Sequence, residues 1–185
     1  MIWNLFLAWL PYWFSLGAVS LFERRRRRWL LLILLAVLWL MFLPNAPYIM
    51  TDFIHLAYPQ RVPIWYDAGL LAATAWTGVF LGVASLRALQ SIVSQLLGRV
   101  LGWAFVLGAI GLSGLGVYLG RFVRWNSWDF FTNPAEVFSD LTQPIIHPIG
   151  HMDKLGFIFM FAALLLVCYL TLASAQPLSK AKRET

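Results

Sequence analysis

Cysteine is nearly absent from this sequence, and charge is scarce. A single cysteine, Cys168, in 185 residues cannot close an intramolecular bridge, which excludes a disulfide-stapled scaffold. Charged residues make up 12% of the chain, against about 25% in an ordinary soluble domain. Only 8 residues are Asp or Glu, and only 3 are His. Too little charge is present to solvate a globular surface, and too much apolar residue for a disordered or collagen-like chain. What fills the composition is hydrophobic: 61% of all residues, with 10 Trp. The class left standing is an integral membrane protein, long enough for several spans and too short for a second globular domain.

A helix needs about 20 apolar residues at 1.5 Å each to cross a hydrocarbon core. Five segments meet that length, at about 2–22, 29–51, 68–86, 100–120 and 155–174. The expected fold is therefore all-α: a polytopic bundle of about five transmembrane helices forming one membrane domain over 1–185. Short interfacial helices join the spans, and 175–185 forms a short basic cytoplasmic tail. The 89–97 stretch repeats Leu89, Ile92, Val93, Leu96 and Leu97 at helical spacing. It reads as a surface helix or as a continuation of the third span.

Charge order sets the expected orientation. Arg24 to Arg28 follow the first apolar run, whereas a signal peptide carries its positive charges ahead of it. The first span is expected to be retained, with the N-terminus outside and the C-terminus in the cytoplasm. That arrangement puts Arg24, Arg25, Arg26, Arg27, Arg28, Arg87, Arg99, Lys180, Lys182 and Arg183 inside. Only Arg61, Arg121, Arg124 and Lys154 lie outside, a clear positive-inside bias. The net charge of +6 is thus an orientation signal, and it needs no nucleic-acid partner. The Arg24–Arg28 run serves as a topology anchor and suits anionic lipid head groups.

The same orientation gathers the scarce groups on the outer side: Asp52, Asp67, Asp129, Glu136, Asp140, Asp153 and all three histidines. In the second span, Trp29 to Leu43 rises only about 22 Å before Pro44 and Pro47 interrupt the helix at membrane depth. Such a break must be buried in protein or line a wet cavity. If a helix resumes there, Asn45 is its expected cap, and Tyr48, Thr51, Asp52 and His55 form one polar stripe. Asp67 falls in the first turn of the third span, where the helix dipole favours a carboxylate. Gly78 and Gly82 form a GxxxG pair, and the fourth span carries Gly108, Gly111, Gly114, Gly116 and Gly120, a sign of close backbone approach. Arg121 and Arg124 follow, three apart, placed to pair with Asp52 or Asp67 or to grip an anionic group. Asn126 and Asp129 extend that polar exit. His147 and His151, four apart, have the right donor type for zinc, although Pro148 and Gly150 interrupt a regular helix there.

Three motifs carry a resemblance. Leu43-Pro44-Asn45-Ala46-Pro47-Tyr48 through Thr51-Asp52-Phe53-Ile54-His55, then Trp65-Tyr66-Asp67, then Tyr118-Leu119-Gly120-Arg121-Phe122 through Arg124-Trp125-Asn126-Ser127-Trp128-Asp129 resemble a bacterial multi-pass membrane family. That family is known only as a domain of unknown function. The resemblance implies a bacterial cytoplasmic membrane protein and supplies no activity. A looser similarity is to alkaline ceramidases, which carry Ser-x-x-x-His, a later Asp and His-x-x-x-His around one zinc. Thr51-x-x-x-His55, Asp67 and His147-x-x-x-His151 share that order, with Thr in place of Ser and five spans in place of seven.

Three functions are compatible with these features. A metal-dependent hydrolase of a lipid or envelope substrate would use His55, His147 and His151 on zinc, with Asp52 or Asp67 as catalytic base. Asn45, Thr51, Arg121, Arg124, Asn126 and Asp129 would bind substrate or form ion pairs. A structural or accessory membrane subunit would use the same ion pairs as a brace. A small-solute or ion transporter would exploit the broken second span, as discontinuous helices often do.

Overall fold

Pro44 and Pro47 supply no backbone N–H, so the helix that begins at Trp29 cannot run unbroken to the far side of a bilayer. The computed structural model describes residues 2–24, 28–57, 63–123, 125, 132–136, 139, 142 and 152–174, with only the backbone given for residues 55 and 57. Over these residues the chain is helical, with no strand among them. Helix α1 spans Ile2–Glu23, α2 Trp29–Phe42 and α3 the four residues Asn45–Tyr48. A 3-10 helix follows over Ile49–Ala57. Then come α4 (Ile64–Leu97), α5 (Arg99–Tyr118), a π-helical turn (Leu119–Val123) and α6 (Met152–Ser174). Among the described residues, five helical stretches are long and apolar enough to cross a membrane: Ile2–Glu23, Trp29–Ile54 (α2, α3 and the start of the 3-10 helix together), Ile64–Leu97, Arg99–Val123 and Met152–Ser174.

α4 is the centre of the bundle. α1, α5, α3 and the 3-10 helix pack on it, α2 packs chiefly on α1, and α6 packs chiefly on α5. At 34 residues α4 is about 51 Å long, well beyond a hydrocarbon core. The 89–97 stretch is its continuation, and Leu89 and Ile92 are buried there. Gly98 ends it with φ at +91°, a backbone geometry open to glycine and costly for other residues, and α5 starts at the next residue. The chain thus reverses within one residue.

Lipid offers apolar side chains nearly the same environment as a protein core, so close packing and hydrogen bonds must join the helices. Both are present. Trp39 of α2 stacks on Phe105 of α5 with ring centroids 5.5 Å apart. Its indole Nε1 donates to Ser85 Oγ at 3.0 Å, and that hydroxyl donates to the Gly82 carbonyl at 2.8 Å. Large apolar side chains such as Trp3, Trp13, Ile33, Trp76 and Phe159 point outward. They give the bundle a lipid-facing coat.

The two ends of the bundle follow from the contacts. Asn4, Asp52, Arg121 and Phe157 mark one end; Glu23, Trp29, Gln90, Arg99 and Leu172 mark the other.

Candidate functional site

The break in the second span is settled carbonyl by carbonyl. Pro47 cannot donate to the Leu43 carbonyl, and Ala46 N–H takes that acceptor instead at 3.1 Å. The Phe42 carbonyl, deprived of Ala46, accepts from Asn45 Nδ2 at 3.0 Å. Asn45 therefore serves the helix behind it. The expected cap position falls to Pro44, which makes no side-chain bond. Broken backbone at membrane depth is tolerated because its own side chains and neighbours satisfy it.

Glycines make room for the break on two sides. A Cβ at Gly78 would stand 2.6 Å from the Ala46 carbonyl oxygen, and one at Gly82 would stand 2.8 Å from Ala46 Cβ. On the α5 side, a Cβ at Gly116 would run into the Pro44 ring, and one at Gly120 would meet the Tyr48 ring at 3.0 Å. α3 is thus a wedge driven between α4 and the α5 exit. Gly114 serves a different contact, the Ile158 carbonyl of α6 at 2.7 Å. Gly108 and Gly111, expected to mark close approach as well, have nothing within 4 Å of a built Cβ.

Beyond the wedge the chain tightens into a 3-10 helix, and this alters the expected polar stripe. With three residues per turn, residue i shares a row with i+3 and no longer with i+4. Thr51 and Asp52 are both buried, while Phe53 and Ile54 beside them are exposed. The Thr51 hydroxyl donates to the Tyr48 carbonyl at 2.8 Å and closes its own turn. Tyr48 Oη lies 3.5 Å from the Gly120 carbonyl, at the limit of a hydrogen bond.

Asp52 is the charged group at the heart of this end. The residue is 8% exposed. Asn4, in the first turn of α1, donates Nδ2 to Asp52 Oδ2 at 3.1 Å. Arg121, in the π-helical turn, places Nη1 3.8 Å from Asp52 Oδ1. That separation is an ion pair looser than a charge-assisted hydrogen bond. Three distant parts of the sequence therefore meet on one carboxylate. Asn4 was not among the candidates drawn from sequence, yet a signal existed: it is the lone amide in an uncharged first span.

Asp67 stands in the first turn of α4 as expected, half-buried. Among the described residues it is not joined to the Asp52 group. Arg124, Asn126, Asp129, His147 and His151 lie outside the described residues, as does the side chain of His55. Among the described residues no three His, Cys, Asp or Glu side chains gather as a metal would require.

No curated protein and no solved structure matches the chain. One family model does, over residues 3–168, a range that includes the wedge, its glycine slots and the Asn4–Asp52–Arg121 group. The chain therefore belongs to the family described as a protein of unknown function, DUF1361.

Proposed function

We propose that the Asp52 end is the working end of this membrane protein and that it binds an anionic lipid or envelope substrate. On the positive-inside bias this end faces outward across a bacterial cytoplasmic membrane. The observation that carries the reading is the buried Asp52 carboxylate, paired with Arg121 and hydrogen-bonded by Asn4 beside a break in a spanning helix. Ionisable groups inside membrane helices are expensive and tend to mark substrate or ion paths. Arg121 is the group suited to meet a phosphate or carboxylate, since its side chain keeps 23% exposure while Asp52 holds it in place.

The finer form of the proposal is metal-dependent hydrolysis. His55, His147 and His151 would bind zinc, Asp67 or Asp52 would act as base, and Arg124, Asn126 and Asp129 would add to substrate binding. Bound zinc would lower the pKa of its water and so supply the nucleophile. Metal analysis of the purified protein tests this form. The expected result is one zinc per chain, lost in the His147→Ala/His151→Ala double variant. No zinc in the parent, or zinc retained by the double variant, removes the hydrolase.

A structural or accessory role is the second reading, favoured by a specific observation. Asn45 and Thr51 spend their polar groups on carbonyls of their own segment. Asp52→Asn separates the readings, because it keeps the side-chain shape and removes the charge. A working site predicts a folded variant that loses its cellular phenotype. A brace predicts a stability loss that tracks the phenotype in step.

A further inference from the structure

The opposite end of the bundle holds a cavity of about 600 Å³ between α1, α2 and α4. Its lining brings Glu23, at the end of α1, together with Arg28, just ahead of α2. We propose that this cavity is a binding site for a zwitterionic aminophospholipid of the bilayer, a phosphatidylethanolamine. Its phosphate lies at Arg28, its primary ammonium at Glu23 and its first acyl segment along Val19, Leu32 and Ala88. The site is separate from the Asp52 group and does not depend on the function proposed for that end.

Charge complementarity selects the head group. Phosphoethanolamine carries an anion and a cation a short linker apart, and the cavity offers a partner for each. Both side chains are exposed, so a ligand can reach them from the membrane surface. Arg28 suits the phosphate, because guanidinium N–H groups make charge-assisted hydrogen bonds to its oxygens. Glu23 suits a primary ammonium, whose N–H groups donate to a carboxylate. The quaternary ammonium of phosphatidylcholine has no N–H to give. On the α4 wall Gln95 Nε2 donates to Ser91 Oγ at 3.2 Å, and this pair adds neutral hydrogen-bonding groups beside the charges.

All three helices grade the cavity in the same sense. On α1 Val19 lies four residues before Glu23, and on α2 Leu32 lies four residues after Arg28, about 6 Å along each axis. On α4 Ala88 lies seven residues before Gln95, about 10 Å. The charged and amide groups therefore occupy the end of the bundle, and the apolar wall descends toward its middle. That order matches a phospholipid, polar at the membrane surface and hydrocarbon below it.

The cavity also opens sideways into lipid. Trp29 and Leu96 both line it, and they remain 50% and 42% exposed. Tryptophan gathers at the head-group level of a bilayer, which places the charged mouth at that depth. A soluble zwitterion would gain nothing from the apolar wall, whereas an acyl chain continues along it. Pockets between transmembrane helices hold lipid head groups in this way. The walls stand before any lipid arrives, because α1 packs along both α2 and α4, and Ile92 of α4 is buried in the same wall.

The test uses the full chain purified in a neutral detergent, with thermal stability followed during lipid titration. Phosphatidylethanolamine should raise the melting temperature saturably. It should bind about fivefold more tightly than phosphatidylcholine with identical chains, the effect of one hydrogen bond at an exposed group. Glu23→Gln should erase that preference by weakening phosphatidylethanolamine alone. Arg28→Gln should weaken both lipids alike, and Arg99→Gln, exposed at the start of α5, should change neither. Ala88→Phe fills the apolar wall and should abolish the response to both lipids with every charge in place. Equal affinities in the parent would overturn the proposal. So would a preference that survives Glu23→Gln, or an Ala88→Phe chain that still responds. Free phosphoethanolamine reproducing the shift would overturn it as well, since that would mean a site for a soluble zwitterion.

Discussion

Arginine does opposite things at the two ends of this bundle. At one end Arg121 lies against a buried carboxylate, beside a wedge whose glycine slots leave no spare volume. At the other, Arg87 and Arg99 line a cavity of about 710 Å³. The same side chain is a counter-ion in the first setting and a tie between helices in the second, where Arg87 Nη1 donates to the Leu172 carbonyl of α6 at 2.7 Å. The difference lies in what the chain brings alongside. Asp52 is delivered by the 3-10 segment, whereas Arg87 meets a backbone carbonyl near the C-terminal end of α6.

The largest effect should come from separating the closed pair. Arg121→Ala takes from the buried Asp52 carboxylate the cation 3.8 Å away, and removing one partner of a fully buried ion pair costs about 3–5 kcal/mol. The 3.8 Å separation and the partial exposure of Arg121 reduce the expected loss to about 2–3 kcal/mol. Arg87→Ala at the other end removes, among its interactions, the hydrogen bond to a carbonyl near the C-terminal end of α6, itself worth about 1 kcal/mol. Reversible unfolding in mixed detergent and lipid measures both. Equal losses at the two ends would break the comparison.

Next in size is the wedge. Gly78→Ala places a methyl against the Ala46 backbone carbonyl, which cannot rotate away, and a loss of about 1–3 kcal/mol is expected. Gly108→Ala is the matched control in α5. Nothing stands within 4 Å of its Cβ, so helix propensity alone applies, and a gain of up to about 1 kcal/mol follows. Should both substitutions prove neutral, α3 is not wedged as described.

How far these features were legible in sequence follows from what each signal measures. Hydropathy locates residues that must sit in hydrocarbon, so it finds five apolar runs, while the α4 helix itself persists to Leu97 because helix continuity does not stop at the lipid boundary. Pro44 and Pro47 announce a break, since a missing N–H is a local and unconditional property. The winding after the break is not local. An α-helical stripe from Tyr48 to His55 gives way to a 3-10 helix, which pairs Thr51 with Tyr48 and turns Asp52 toward Asn4. Glycine spacing was only half informative: Gly116 and Gly120 meet the wedge, and Gly108 and Gly111 meet nothing. The partner of Asp52 across 48 positions depends on how α1 docks, and no spacing rule carries that.

The smallest expected effects give the sharpest form of the comparison, because they use matched amides. Asn4 donates to Asp52 at the closed end, and Gln90 bonds Tyr169 beside the open cavity. Hydrogen bonds between membrane helices average only about 0.6 kcal/mol and reach about 1.7 kcal/mol at most. Asn4→Ala should fall near the upper figure, because the acceptor it abandons is an ionised group away from water. Gln90→Ala should fall at or below the average. Gln90 itself lines the cavity, so its removal lets water reach the Tyr169 hydroxyl, which is otherwise buried. The ratio of the two losses, measured in one lipid composition, reports how dry each end is. A Gln90→Ala loss larger than that of Asn4→Ala would mean that the cavity end is the better sealed.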